Sequence, residues 1–245
     1  MRQPTDRITP LLAVAILACA ALPGAARAAE KSPLVVSAVA FERMEYRLGD
    51  EGDLLAWEGE AFVGTDEWKL RLESEGEWSL DGHGFETLES QVLIQRPLDE
   101  FFDLKAGLRY DAPSGPNRLY GVLGLSGLAR QWVEVEAALF FSEEGGAPSA
   151  RLELEYELLL TNRIILTPAV EVDFAFADDE EIGVGAGLST SELGLRLSYD
   201  LLYRDVAPYL GLHWEKAYGK TAEFGREEGE GTDELFAVIG VRLRF

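Results

Sequence analysis

Arg151, Glu153, Glu155 and Glu157 occupy every second position of RLELEYEL, and Leu152, Leu154, Tyr156 and Leu158 fill the alternate positions. Carboxylates repeated in this way do one of two things. They pair with bases in a salt-bridge lattice, or they attract cations, as rings of acidic side chains do. Hydrolytic chemistry would instead need a nucleophile, a base and an orienting group. His213 is the one base suited to it, its own strand has no serine two residues away, and Ser198 on the preceding strand is the nearest inward hydroxyl, so no enzyme is expected.

A period of two puts the charges on one face of a β-strand and the apolar side chains on the other. In a soluble sandwich the apolar face packs inward; in a transmembrane barrel it faces lipid and the charges line the interior. The N-terminus favours the barrel. Residues 1–28 read as a secretory signal peptide, with Arg2 and Arg7, the apolar run Leu11 to Leu22, a break at Pro23–Gly24 and the small-residue site Ala26–Arg27–Ala28. Nothing after it is a run of about 20 apolar residues, so an exported chain of this kind enters a membrane only as a closed barrel. Cys19 weakly resembles a lipoprotein box, and cleavage after Ala28 removes it, which leaves no disulfide or thiolate site. Residues 29–245 are then one domain, the barrel. With 44 acids against 22 bases and a net charge of −22, nucleic acid is not an expected partner.

Alternation marks twelve strands, near 36–47, 54–63, 67–76, 86–96, 101–111, 118–127, 132–142, 150–160, 163–176, 191–202, 206–216 and 234–245. The fold class expected is all-β, a transmembrane antiparallel up-and-down barrel. Tight links at 64–66, 97–100, 161–162 and 203–205 alternate with longer ones at 77–85, 112–117, 143–149, 177–190 and 217–233, which predicts both termini on the periplasmic side. The final LFAVIGVRLRF ends on an aromatic, with Ala237, Ile239, Val241, Leu243 and Phe245 on one face. Trp57, Trp68, Phe101, Tyr110, Trp132, Phe141, Tyr199 and Trp214 fall near strand ends, where interfacial girdles form.

In that architecture the charged faces become the lumen. Glu58, Glu60, Lys69, Arg71 and Glu73 line its first strands, followed by Asp103, Arg109, Glu134 and Glu136. Arg151, Glu153, Glu155, Glu157, Glu171, Asp173 and Arg196 continue it. Glu75, Glu89, Lys105, Glu192, Asp200, Glu215, Arg242 and Arg244 share the inward phase. Acids outnumber bases there, which suits either a solvated salt-bridge lattice or a path attractive to cations.

The stretches FFDLKAGLRYDAPSGPNRLYGVLGLSGLA, EYELLLTNRIILTP, APYLGLHWEKAYGKTA and the final FAVIGVRLRF resemble the bacterial copper resistance protein B family of outer-membrane barrels, and the likeness runs in order over nearly all of 29–245. The resemblance implies a place in the bacterial outer membrane and a part in copper resistance and homeostasis, binding copper weakly or passing it across that membrane. The alternative reading is a passive small-cation channel with an acidic lumen and no dedicated copper site. Such proteins often carry a segment rich in methionine and histidine ahead of the barrel, where thioether and imidazole suit copper. Ala29 to Val39 contains neither, and Met44, His83 and His213 are too few and too scattered for a soft-ligand site; His213 reads first as a hydrogen-bonded histidine beside Glu215, with His213, Glu215 and Met44 as the alternative metal set, while His83, between Gly82 and Gly84, reads as solvated. Expected partners are outer-membrane lipid, the barrel-assembly machinery through the C-terminal strand, and periplasmic copper-handling proteins.

Overall fold

The computed structural model describes residues 34–50, 52–80, 84–112, 116–142, 146–202, 204–229 and 231–245. The expected signal peptide and His83 lie outside the described residues. The strands are β1 (Val36–Leu48), β2 (Asp53–Gly64), β3 (Lys69–Ser79), β4 (Gly84–Pro97), β5 (Phe102–Asp111), β6 (Arg118–Leu128), β7 (Glu134–Phe141), β8 (Ser149–Glu155), β9 (Leu158–Leu159), β10 (Ile164–Ala175), β11 (Gly187–Tyr199), β12 (Val206–Ala217) and β13 (Asp233–Arg244). Every pairing is antiparallel, and β13 closes on β1. Because β8 and β9 both pair with β10 along one line, the thirteen described segments make a closed barrel of twelve staves.

The break between β8 and β9 has a local cause. Tyr156 donates its N–H to the Pro168 carbonyl at 3.1 Å, but Pro168 has no N–H to return, so the ladder lapses at Tyr156–Glu157. Elsewhere the alternation sets the two faces. Leu70, Leu72, Val92, Ile94, Leu108, Leu123, Leu193, Leu195, Leu197, Leu210, Leu212, Leu235 and Ile239 are exposed on the outside, which is the face a hydrocarbon layer covers. Aromatic rings mark both rims. Trp68, Phe101, Trp132, Tyr199 and Phe245 stand at the end bearing the termini, and Trp57, Trp78 and Phe85 stack edge to face near the other, at 5.9 Å and 4.5 Å between centroids.

Several boundaries differ from the sequence reading for identifiable reasons. β7 starts at Glu134 because Gln131 and Trp132 hold positive φ (68° and 65°), which ends extended pairing. β3 and β4 extend into the link expected at 77–85 and leave only 80–83 between them, so long and short links alternate less completely than expected. β11 begins at Gly187, earlier than expected, and Asp200 lies beyond its end, where the carboxylate caps the Arg204 N–H at 2.7 Å and does not line the lumen. Inside the 217–233 link sits a helix, α1 (Gly219–Glu228). It packs against the 176–186 loop so tightly that a Cβ on Gly185 would come within 2.3 Å of the Lys220 Cβ.

The faces make a direct prediction. Leu193→Arg places a charge in the middle of the outward surface and should lower stability by about 2–4 kcal/mol, whereas Leu193→Ile should cost less than about 1.5 kcal/mol. Urea titration of the barrel refolded in lipid vesicles measures both; equal stability of the two variants would reverse the assignment of faces.

Candidate functional site

The inward residues form ion pairs that cross the lumen. Arg151 on β8 reaches Glu171 and Asp173 on β10 at 2.9 and 3.0 Å, and on the far wall Glu89 on β4 at 3.1 Å and Glu75 on β3 at 3.5 Å. Arg109 binds Glu89 and Asp111, and Lys105, 1 % exposed, is held between Glu136 and Glu73. Arg71 bonds Glu60 at 2.7 Å, Glu73 at 3.2 Å and the Gln95 side chain, which in turn donates to Asp103. Nearer the C-terminus, Arg242 pairs with Glu157 at 2.9 Å and Arg244 with Glu42 at 2.8 Å. Lys69 stands over the Phe62 ring on the same inner wall.

A group on β1 escaped the alternation reading. A bulge between Phe41 and Arg43 puts both Glu42 and Arg43 inside and shifts the phase of everything after it. Glu45 then accepts from Arg196, Arg47 and the Tyr209 hydroxyl, and Arg43 binds Glu58. The run Arg43, Glu45, Arg47 against Met44, Tyr46, Leu48 carries the signal, but only if read from position 43 onward.

Two cavities interrupt this lattice. One of about 80 Å³ lies among Arg71, Glu73, Glu75, Glu89, Lys105 and Arg151. A larger one, about 520 Å³, is a vestibule at the end bearing the termini, with Ala38, Val39 and Phe245 at its rim and Glu134, Glu153, Glu155 and Arg196 deeper in. Glu134, Glu153 and Glu155 make no hydrogen bond or ion pair among the described residues. The opposite mouth is crossed by the 176–186 loop: Arg118 on β6 holds Asp179 at 3.1 Å and Glu181 at 2.6 Å.

Met44, Glu215 and His213 are not brought together. Met44 points outward, 42 % exposed, whereas His213 is inside and 1 % exposed. The carboxylate within ion-pairing distance of His213 is that of Glu192 on β11, 3.5 Å from Nε2, while Glu215 lies two residues along on the same inner face. Ser198 is opposite Tyr209 and donates to the Ile165 carbonyl, away from His213, whose cross-strand partner is Gly194. Among the described residues no three His, Cys, Asp or Glu side chains are already disposed around a metal position.

The family of copper resistance protein B, described as its precursor (CopB), matches residues 35–245. The chain belongs to the copper resistance protein B family. It is 39% identical over 204 residues to a copper resistance protein B homolog of Pseudomonas syringae pv. tomato, covering 83% of this chain and 68% of that one. It is 38% identical over 207 residues to copper resistance protein B of Escherichia coli, covering 84% and 69%. Among solved structures, the NanC porin superposes with a TM-score of 0.51 at 15% identity, over 85% of this chain and 99% of that one, which shows a shared barrel fold. A copper resistance protein B with a porin-like barrel resides in the outer membrane.

Two predictions follow from this copper resistance barrel's lattice. Arg151→Ala leaves four carboxylates without their shared base and should cost about 3–5 kcal/mol, with Arg151→Met less harmful only when Glu89 is also neutralised, in urea titrations of a double-mutant series. At the loop end, the Ala186 N–H bonded at 2.8 Å to Asp178, together with Lys220, holds the Asp178 carboxyl below its usual range. Its contribution is complete above about pH 4 and is lost as pH falls through the lowered value. The protection of the Ala186 amide against exchange, relative to its intrinsic rate at each pH, should therefore fall in acid, and Asp178→Asn should remove that acid dependence.

Proposed function

We propose that this barrel serves copper resistance by gathering copper cations in its acidic vestibule and holding them weakly enough to pass on. The observation that carries the reading is the vestibule wall itself: Glu134, Glu153 and Glu155 face about 520 Å³ of accessible space, and the seven glutamates of its lining outnumber the five arginines. Fixed negative charge in a narrow, low-dielectric passage concentrates cations, and carboxylate oxygens bind divalent ions less tightly and less selectively than clusters of imidazole and thioether. The short links 65–68, 98–101 and 160–163 share an end with both termini, the usual periplasmic arrangement of such barrels. The vestibule then opens toward the periplasm. Periplasmic copper-handling proteins are its partners there, and the C-terminal strand is the segment offered to the assembly machinery. No catalytic step enters this reading.

Protease sites test the orientation. One inserted at 180–182 should be cut on intact cells and one inserted at 98–101 protected; the reverse pattern inverts the barrel. Function is read by complementing a deletion strain. Simultaneous Glu153→Gln, Glu155→Gln and Glu157→Gln should reduce copper tolerance more than His213→Ala does. Equal tolerance of the triple variant and the wild type would remove the acidic vestibule from the mechanism. The second reading, a passive small-cation pore, is favoured by the outward placement of Met44, which takes the soft ligand away from the lumen. Conductance of the refolded barrel in planar bilayers, with similar currents for potassium, calcium and copper salts, would establish that reading instead.

A further inference from the structure

The 176–186 link between β10 and β11 is folded on itself. Asp179 and Val184 exchange backbone hydrogen bonds of 2.7 and 3.0 Å around a turn at Glu180–Ile182, and Gly183 takes the positive φ (68°) that closes it. The result is a compact lobe on two short necks, above the last β10–β11 rung, Ala175 opposite Gly187. It is held from two sides. On one, Arg118 of β6 grips Asp179 through Nε at 3.2 Å and Nη2 at 3.1 Å and reaches Glu181 at 2.6 Å. On the other, Lys220 of α1 pairs with Asp178, and the Gly185 N–H donates to the Thr221 hydroxyl at 3.0 Å. β6 is the sixth stave of twelve and α1 joins the eleventh to the twelfth, so the two anchors stand nearly half a turn of the wall apart.

The anchors differ in kind. Arg118 and Asp179 are both buried, and their contact is the bidentate guanidinium–carboxylate geometry that is strong when shielded from water. The Lys220–Asp178 pair is open to solvent, where an ion pair is worth little, but the backbone itself seats the lobe on α1, since a Cβ on Gly185 would meet the Thr221 nitrogen at 2.8 Å. The β6 side is therefore held by side chains reaching across the mouth, and the α1 side by backbone fit. Breaking the first leaves the lobe able to tilt on the second. The β10 neck is pinned as far as Phe176, whose N–H bonds the Pro148 carbonyl at 2.8 Å, whereas Gly187 at the other neck has a φ of 112° and open space where a Cβ would stand.

We propose that the lobe is a lid latched over the mouth opposite the vestibule, and that release of Asp179 from Arg118 opens it. At rest the barrel is then a chamber open at the end bearing the termini and shut at the other, and ions cross it only in the unlatched form. A buried ion pair suits a latch because breaking it is costly and the lobe has two discrete positions, whereas the Glu181 side chain, 72 % exposed, adds reach and little hold. The lid does not depend on which cation the vestibule gathers.

The test uses the refolded mature barrel bearing Ser189→Cys. Ser189 is buried on the inner face two residues into β11, where its carbonyl accepts the N–H of Tyr218 at the foot of α1. The one cysteine of the sequence, Cys19, falls in the expected signal peptide, so the introduced thiol is the sole target. Its reaction with a charged methanethiosulfonate reagent should quicken at least tenfold when Arg118→Ala or Asp179→Asn is added, and less than twofold with Glu181→Gln. Exchanging the pair, Arg118→Asp with Asp179→Arg, should return the rate to within twofold of the parent. In planar bilayers with potassium chloride, faster labelling accompanied by a larger current supports the lid, and faster labelling at unchanged current supports it too, with the Arg151 lattice as a second closure. Far-UV circular dichroism shows that each barrel has formed, and Asp179→Asn stands in for Arg118→Ala should that variant fail to refold. Equal labelling of the parent and the latch variants overturns the proposal, as does a parent labelled as fast as the unfolded chain or an exchanged pair as fast as the single variants.

Discussion

In a hydrocarbon layer no backbone N–H or C=O is left unpaired without a cost of several kcal/mol, so a sheet that crosses it must close on itself. Here closure is made by β13 on β1, and the seam is completed by Phe245 and Val39, which exchange hydrogen bonds of 2.8 and 3.1 Å. Once the sheet is closed, the alternation of side chains has no freedom left: apolar groups go to lipid, and every charged group on the other face is confined to the lumen. The crossing ion pairs follow from this confinement. A barrel interior holding this many acids is tolerable only where bases such as Arg151, Arg109 and Lys105 reach several of them at once.

The same confinement explains why stability and function share residues. Arg151 ties together opposite walls through Glu75 and Asp173, and three acids outside such pairing, Glu134, Glu153 and Glu155, face the vestibule. The lattice and the vestibule wall are therefore two parts of one charge distribution.

Much of this was legible from the sequence because strand facing is a local property. Glu153, Glu155 and Glu157 declare their face within eight residues, and so do Leu193, Leu195 and Leu197. β1 was not legible because its bulge at Phe41–Arg43 breaks the period in the middle of the strand. Helix α1 was not legible either: ten residues with glycines at 219 and 225 have weak intrinsic helicity, and contact with the 176–186 loop supports them. Facing alone also could not show that Met44 and His213 lie on opposite sides of the wall, since that depends on where the bulge falls. Register is the least local property of all. It belongs to the closed sheet, so the opposition of Glu171 to Glu192, and of Glu192 to Glu215, emerges only after every stave is in place.

The spokes that Arg151 casts to Glu75 and Glu89 bear on the permeability of the whole cell. A sugar or an antibiotic passing down the axis would have to part charged groups on facing walls without offering them anything in exchange, whereas a small cation can trade places with an arginine at a carboxylate. What the lumen excludes is then set by ion pairs across it and not by the width of the barrel alone.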